Sequence, residues 1–412
     1  MHPHAFADFL LTVLPAFFFP LVSILRNWTY ALFYCLAELW GSIVVSVLFW
    51  GFSNEICTTA EAKKYYPLFG LMANVALIFS GQYVHYVSKL RAGLPDHIDK
   101  WGYSLKLLMS AVVAGGGLIM GLFAYMQSQV VTDPECVATV KTEVKKKKTE
   151  LGMKESAAFL AKSPYIRDIA LMVIGYGMSI NIVEVTWKSK LKAAFPDPNA
   201  YSSFMGNFSS ATGVFTLIMM LAGRFIFDKF GWGVAASITP VVLLATGVVF
   251  FSLIISPATF TPVCAALGTS PLMLAVLVGA LQNIFSKGSK YSLFDPAKEV
   301  SLPLNPLHIT ALTSSLYVPF LSLLFSKQMA YIPLDAESKT KGKCAVDVIG
   351  NPLGKSSGSL IQQVFIGIFG SLSASTPYLG GVLGAIILLW LKATQSLSKQ
   401  IAAIDKKDGK KA

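Results

Sequence analysis

Charged residues are scarce in this sequence: they make up 14% of its 412 residues, whereas hydrophobic residues make up 54%. A soluble domain carries about 25% charged residues, so this chain has too few to solvate two or three globular units. The five cysteines are scattered without a CxxC pair, which excludes a disulfide framework and a zinc site. No HExxH motif occurs either, and we expect no catalytic activity, metal or cofactor. The composition predicts an all-α protein that crosses a membrane several times.

The formal net charge of +12 comes largely from two basic regions. One is the run of lysines at 145–148, and the other is the tail with Lys406, Lys407, Lys410 and Lys411. We predict that both are loops beside a negatively charged leaflet, as the positive-inside rule describes. Neither region is interleaved with stacking aromatics, so lipid rather than nucleic acid is the expected contact.

The apolar stretches predict nine membrane spans, since a spanning helix needs about 20 mostly apolar residues. They lie at about 26–50, 66–89, 103–128, 165–187, 202–228, 232–256, 271–290, 350–373 and 376–396. Residues 6–25 are also apolar, but Pro15 and Pro20 predict a broken or interfacial segment there.

A polar stretch divides the predicted spans into three before it and six after it. Because transporters are usually built from equal halves, we expect a two-bundle fold of which three spans lie upstream of Met1. The predicted organisation is the C-terminal part of a first helix bundle (1–130), a basic central loop (131–162), a second bundle (163–396) and a basic tail (397–412).

Polar side chains share one face in two of the spans. Tyr34 and Glu38 lie on one helical face with Asn27 and Ser42. We interpret this stripe as lining a cavity, with a single structural hydrogen bond from a protonated Glu38 as the alternative. For Tyr34 by itself, simple packing is the alternative.

A second stripe, in the fourth span, holds Asn181, Glu184 and Lys188. Its alternative is a simple i,i+4 ion pair near the interface.

The seventh and eighth spans add further basic residues. Lys287 and Lys290 lie at the end of the seventh span, where they could anchor the helix at the interface. Asp347, Asn351, Lys355, Ser359 and Gln362 share one face of the eighth span, which Pro352 and Gly354 are predicted to loosen. The segment 350–356 looks like a phosphate-binding P-loop but has one residue too few between its glycines, so an ATPase fold does not follow.

Five long strings in the chain are highly specific. They are AELWGSIVVSVLFWGF (37–52), YYPLFGLMANVALIFSG (65–81), SPYIRDIALMVIGYGMSINIVEVTWKSKLK (163–192), QNIFSKGSKYSLFDPAKE (282–299) and MAYIPLDAESKTKGKCAVDVIGNPLGKSSGSLIQQ (329–363). Through them the chain resembles the plastid-type ATP/ADP translocators, a nucleotide-transporter family shared by plastids and obligate intracellular bacteria. The similarity covers nearly the whole sequence apart from one insert.

The resemblance implies a major-facilitator-like fold of twelve spans in the plastid (chloroplast) inner envelope. It implies exchange of external ATP for internal ADP, with phosphate accompanying ADP, by a monomeric carrier that is not an enzyme. It also implies that Glu38, Glu184 and Lys355 are needed for transport. The full set of candidate transport residues is Tyr34, Glu38, Asn74, Asn181, Glu184, Lys188, Lys287, Lys290, Asn351 and Lys355. The alternatives are a carrier of other nucleotides or NAD, and an inactive truncated pseudo-transporter.

The insert interrupts this resemblance between Glu299 and Met329. Its residues, 300–328, contain no Gly, Asp or Glu and are rich in Leu, Ser, Pro and Phe. It opens with Val and closes with Gln, which GT-starting and CAG codons can encode at the ends of an intron. We therefore predict a retained intron, with a re-entrant segment or extra span as the alternative.

Overall fold

The computed structural model describes residues 3–15, 18–41, 59–95, 97–132, 163–289 and 350–408, with isolated positions at 44, 48, 49, 52, 53, 56, 342 and 346. Its helices are α1 Pro3–Val13, α2 Phe19–Arg26, α3 Trp28–Gly41, α4 Thr59–Ala92, α5 Lys100–Tyr125, α6 Pro164–Ala194, α7 Pro198–Ile255, α8 Pro257–Ala266, α9 Pro271–Ser289, α10 Asn351–Phe369 and α11 Leu372–Asp408. A π-helical turn, Met126–Val130, follows α5. No strand occurs within these described ranges, which confirms the all-α prediction.

Several helices are preceded by a capping residue. Asp99, Ser163 and Asp197 precede α5, α6 and α7, and each side chain accepts a hydrogen bond from a backbone N–H three residues further on. Such caps satisfy N–H groups that have no partner within the helix. Pro15 lies between α1 and α2, so the predicted break in residues 6–25 is confirmed.

Two glycines produce breaks that the apolar pattern anticipates. Gly231 has φ +76°, which interrupts α7 between the predicted spans 202–228 and 232–256. Gly370 has φ +78° and ends α10 in the left-handed conformation that glycine adopts without steric cost. Helix α8 was not predicted, and it meets α9 at a bend of 86°. Both helices start with a proline, and Pro271 favours the start of α9 immediately after this bend.

Among the described residues, five helical segments are long and apolar enough to cross a membrane, or six if α8 and α9 form one bent span. The predicted count of nine is therefore not confirmed. The prediction of a loop for the tail was wrong over residues 397–408, because α11 continues through them to Asp408. The lysine run at 145–148, most of the central loop 131–162, the insert 300–328 and Lys290 lie outside the described residues.

The hydrophobic core lies among the helices of the second half. Helix α6 packs against α9, α10 and α11, and α7 packs against α9 and α11. Trp187 of α6 is fully buried, and its indole Nε1–H donates to the Val276 carbonyl of α9 at 2.9 Å. By contrast, α3 has no buried residue and α5 buries only Ser104. The second half therefore provides the rigid frame on which the polar residues are placed.

Candidate functional site

A cluster of three charged side chains lies between α6 and α9. The Lys188 ammonium is 2.9 Å from Glu184 Oε1, and the Lys287 ammonium is 3.1 Å from the same oxygen. The side chains of Glu184, Lys188 and Lys287 are 23%, 45% and 31% exposed. The predicted i,i+4 pair of Glu184 and Lys188 is present, and Lys287 joins it from a second helix. This charged cluster thus has two cations on one carboxylate and remains accessible.

The first-half stripe approaches the charged cluster. Tyr34 and Glu38 lie one turn apart on α3, and Tyr34 lies within electrostatic range of Glu38, Lys188 and Glu184. Both Tyr34 and Glu38 are exposed. The two stripes that the sequence predicts on separate spans therefore lie near each other.

Asn181 extends the charged cluster along α6 towards α10. The Ser359 hydroxyl donates to Asn181 Oδ1 at 3.2 Å, and the Gln362 amide donates to the Asn181 carbonyl at 3.2 Å. The predicted polar faces of the fourth and eighth spans thus contact each other. Here Asn181 has a structural role, since it joins two helices.

Glycines bring α6 and α10 into close contact beside Asn181. A Cβ on Gly177 would lie 2.7 Å from the carbonyl carbon of Gly354, closer than real Cβ contacts allow. The prediction that Pro352 and Gly354 interrupt a helix was wrong. Pro352 lies in the first turn of α10, where proline is tolerated, and Gly354 serves helix packing.

Asn351 and Lys355 lie on the first two turns of α10, and their side chains are outside the described part of the structure. Residues 351–356 are helical, so the P-loop-like segment does not form a phosphate-wrapping loop. Since Gly354 packs against α6, the backbone of Lys355 lies beside the helix that holds Glu184.

Asn74 lies in a different place, the contact between α4 and α7. Its side chain is buried and donates to the Gly70 carbonyl at 2.9 Å, one turn earlier. A Cβ on Gly213 of α7 would lie 3.0 Å from the Asn74 carbonyl. The structure does not bring this residue to the charged cluster.

Polar contacts along this α4–α7 seam were not predicted. Gln82 donates to Ser210 at 2.9 Å, His85 and Ser203 share a hydrogen bond of 2.8 Å, and Arg91 donates to Asn199. The sequence offers two signals for this contact: the seven-residue spacing from Asn74 to Gly81, and the i,i+3 pair of Gln82 and His85. The seam joins the last helices of the first half to the second half.

The seam ends beside a cavity of about 340 Å³. Buried Arg91 lines it, and its guanidinium lies 4.7 Å from the centre of the Trp101 ring. Asp197 also lines the cavity, and its pKa is lowered because its carboxylate accepts backbone hydrogen bonds from Ala200 and Asn199. In the described residues, no group of His, Cys, Asp or Glu could hold a metal ion.

Comparison with known proteins identifies relatives over nearly the whole chain. The chain is 54% identical to "ADP,ATP carrier protein 1, chloroplastic" of Arabidopsis thaliana over 98% of its own length and 59% of the relative's. It is 54% identical to the "Plastidic ATP/ADP-transporter" of Solanum tuberosum, over 98% of the chain and 58% of that protein. It is also 47% identical to "ADP,ATP carrier protein 1" of Chlamydia trachomatis, over 98% of the chain and 71% of that protein. No solved structure gives a significant match.

A protein-family model described as "TLC ATP/ADP transporter" matches residues 1–309 and 321–401. The match is interrupted at residues 310–320. This interruption lies inside the predicted insert 300–328 and is shorter than the insert. Whether the insert is a retained intron stays a prediction. A match of this extent, together with relatives at 54% identity, shows that the chain belongs to the TLC ATP/ADP transporter family.

Proposed function

We propose that the full-length protein exchanges ATP for ADP across a membrane, with phosphate accompanying ADP. Membership of the TLC ATP/ADP transporter family and the names of the plant and bacterial relatives support this function. The chloroplastic names of the plant relatives support a place in the plastid inner envelope. The nucleotides are transported substrates in this proposal, and the protein catalyses no chemical reaction on them.

We further propose a major-facilitator-like architecture in which two helix bundles alternate access to a site between them. The α4–α7 seam supports a contact between the bundles, because its hydrogen bonds cross from the first half to the second. The partners of the carrier are nucleotides, phosphate and lipid, and it acts as a monomer. The lining of the site then comes from both halves, which agrees with the position of Tyr34 near Lys188.

The attachment of two lysines to Glu184 Oε1 is the observation that carries the proposal. The phosphates of ATP and ADP are polyanions, and lysine is a compact point charge that binds them well. An empty site with two free ammonium groups would bear uncompensated charge at membrane depth, which costs several kcal/mol. Glu184 compensates part of this charge while no nucleotide is bound.

Nucleotide binding then exchanges one set of partners for another. The phosphate oxygens replace Glu184 as acceptors for Lys188 and Lys287, and Glu184 reorients towards solvent or a ribose hydroxyl. Lys355, on the first two turns of α10, adds a third cation for phosphate in this proposal. Because Glu184 compensates only part of the lysine charge in the empty site, whereas bound nucleotide phosphates compensate it fully, reorientation is favoured for the loaded carrier.

Tyr34 and Glu38 are proposed to contact the nucleoside. Tyr34 lies within electrostatic range of Lys188, and its ring offers a flat face for adenine. The Glu38 carboxylate can accept from the adenine N6 amino group or a ribose hydroxyl. These roles place the base on the α3 side of the charged cluster and the phosphates on the α9 side.

The test is uptake of labelled ATP, ADP, GTP and NAD by proteoliposomes that contain the full-length protein without residues 300–328. ATP and ADP uptake that depends on internal ADP is the expected result. Preferential uptake of NAD or GTP would favour the alternative substrate class. Absence of uptake for all four nucleotides, with the protein folded in the vesicles, would contradict the proposal.

A further inference from the structure

We propose that Phe208 is a positioning residue for Lys287 and that it tunes the affinity for nucleotide phosphates. The Lys287 ammonium lies 5.4 Å from the centre of the Phe208 ring. Phe208 lies on α7, whereas Lys287 lies on α9 and its carboxylate partner Glu184 on α6. Three helices therefore fix one ammonium group. This inference rests on the proposed nucleotide exchange.

The Phe208 ring is held in place by its surroundings. It is only 6% exposed, and its centre lies 4.7 Å from that of the Trp187 ring. Trp187 is itself fixed by its hydrogen bond to the Val276 carbonyl, and Gly279 leaves no room for a Cβ beside the indole. The two rings form an aromatic wall, Trp187 and Phe208, that is unable to move aside without disturbing the core.

The chemistry of this contact differs from that of the ion pair with Glu184. An aromatic face attracts an ammonium group through its quadrupole, yet it offers no lone pair that competes for the N–H donors. When a phosphate oxygen replaces Glu184, the attraction of the ring for Lys287 remains. The aromatic wall therefore keeps Lys287 directed into the site in the loaded state, without neutralising the charge that the phosphate needs.

Simple packing is the competing role for Phe208, and a neighbouring phenylalanine separates the two. Phe204 lies one turn earlier on α7 and also contacts Trp187, at 6.4 Å between ring centres. Its other side packs against Phe195 at 5.3 Å. Phe204 thus shares the helix, the residue type and the Trp187 contact, and it is a matched control for the wall.

The experiment replaces Phe208 with phenylalanines carrying one, two and three ring fluorines, which weaken the quadrupole with little change in shape. The full-length protein is reconstituted with internal ADP, and KM and kcat for labelled ATP are measured. We expect KM to rise stepwise with fluorination at 208, by about 2- to 30-fold at the highest substitution, with little change in kcat. The same fluorinated residues at 204 should leave KM within about two-fold of wild type.

A second variant, Phe208→Leu, keeps an apolar side chain and removes the aromatic face altogether. Its KM should be at least as high as that of the most fluorinated protein. If Phe208→Leu does not fold, the fluorinated series alone decides the outcome. A KM that stays constant across the series at 208, or that rises equally at 204, would overturn the proposal. Failure of the wild-type protein to exchange ATP for ADP would instead count against the proposed function itself.

Discussion

Lys287 and Glu184 are 103 residues apart in the chain, yet their Nζ and Oε1 atoms lie 3.1 Å from each other. The pair joins α9 to α6 in a part-buried position. Lys188, one turn further along α6, contacts the same carboxylate oxygen. In the proposed exchange, the phosphates of the nucleotide would compete with Glu184 for these two ammonium groups.

Glu184→Gln should abolish most exchange, because the amide cannot compensate Lys188 and Lys287 in the empty state. Loss of this charge-assisted contact should lower the rate of ATP uptake by about 10- to 150-fold. Labelled ATP uptake into ADP-loaded vesicles, normalised to the protein in the membrane, measures this.

Asp168→Asn is the matched control for Glu184→Gln. Asp168 is a buried acid on the same helix, and it accepts a hydrogen bond from Gln400 at 3.0 Å. Removal of its charge should leave exchange largely intact. Equal losses from both substitutions would argue that any acid on α6 is needed only for folding.

Lys355→Gln should also reduce exchange strongly while membrane insertion survives, because it keeps length and some hydrogen bonding but deletes the charge. A loss of about 10- to 150-fold in apparent affinity is expected. Lys355→Arg keeps the charge in a wider planar head and should retain partial activity. Lys399→Gln, on α11, is the control. Near-normal exchange by Lys355→Gln would refute the substrate role of Lys355.

Gly177→Ala should destabilise the protein, since its Cβ would lie 2.7 Å from the backbone of Gly354 on α10. Overpacking of this kind costs about 1–3 kcal/mol. Gly384→Ala on α11 is the control, because nothing lies within 4 Å of its Cβ position. It should be neutral or stabilise by about 0.5–1 kcal/mol. Thermal unfolding in detergent compares the two, and equal melting temperatures would be inconsistent with the close α6–α10 contact.

Helix positions were largely predictable because the chain has few charges, and these interrupt the apolar stretches at clear points. Gly231 and Gly370 both fall at or near predicted breaks, since glycine alone tolerates their positive φ values. Helix α8 was missed because its ten residues form part of a bent pair rather than a separate span. The loop predicted for the tail is wrong because its lysines do not end the helix, and α11 continues through Lys406 and Lys407 to Asp408.

The charged cluster was predictable only in its parts. The spacing of Glu184 and Lys188 places both on one face of α6, which periodicity shows. The approach of Lys287 depends on the packing of α9 against α6, which local sequence does not encode. Likewise, the contact of Asn181 with Ser359 and Gln362 joins two helices far apart in the chain. The cation–π contact of Phe208 is invisible in sequence, because any buried phenylalanine has the same pattern.

The dependence of ATP uptake on internal nucleotide is the sharpest test of the proposed exchange. Full-length protein without residues 300–328 is reconstituted into vesicles that are either empty or loaded with ADP, and initial rates of labelled ATP uptake are compared. Because an empty site leaves lysine charge incompletely compensated during reorientation, ADP loading should accelerate uptake many-fold. Equal initial rates in empty and ADP-loaded vesicles would contradict an exchange mechanism based on this charged cluster.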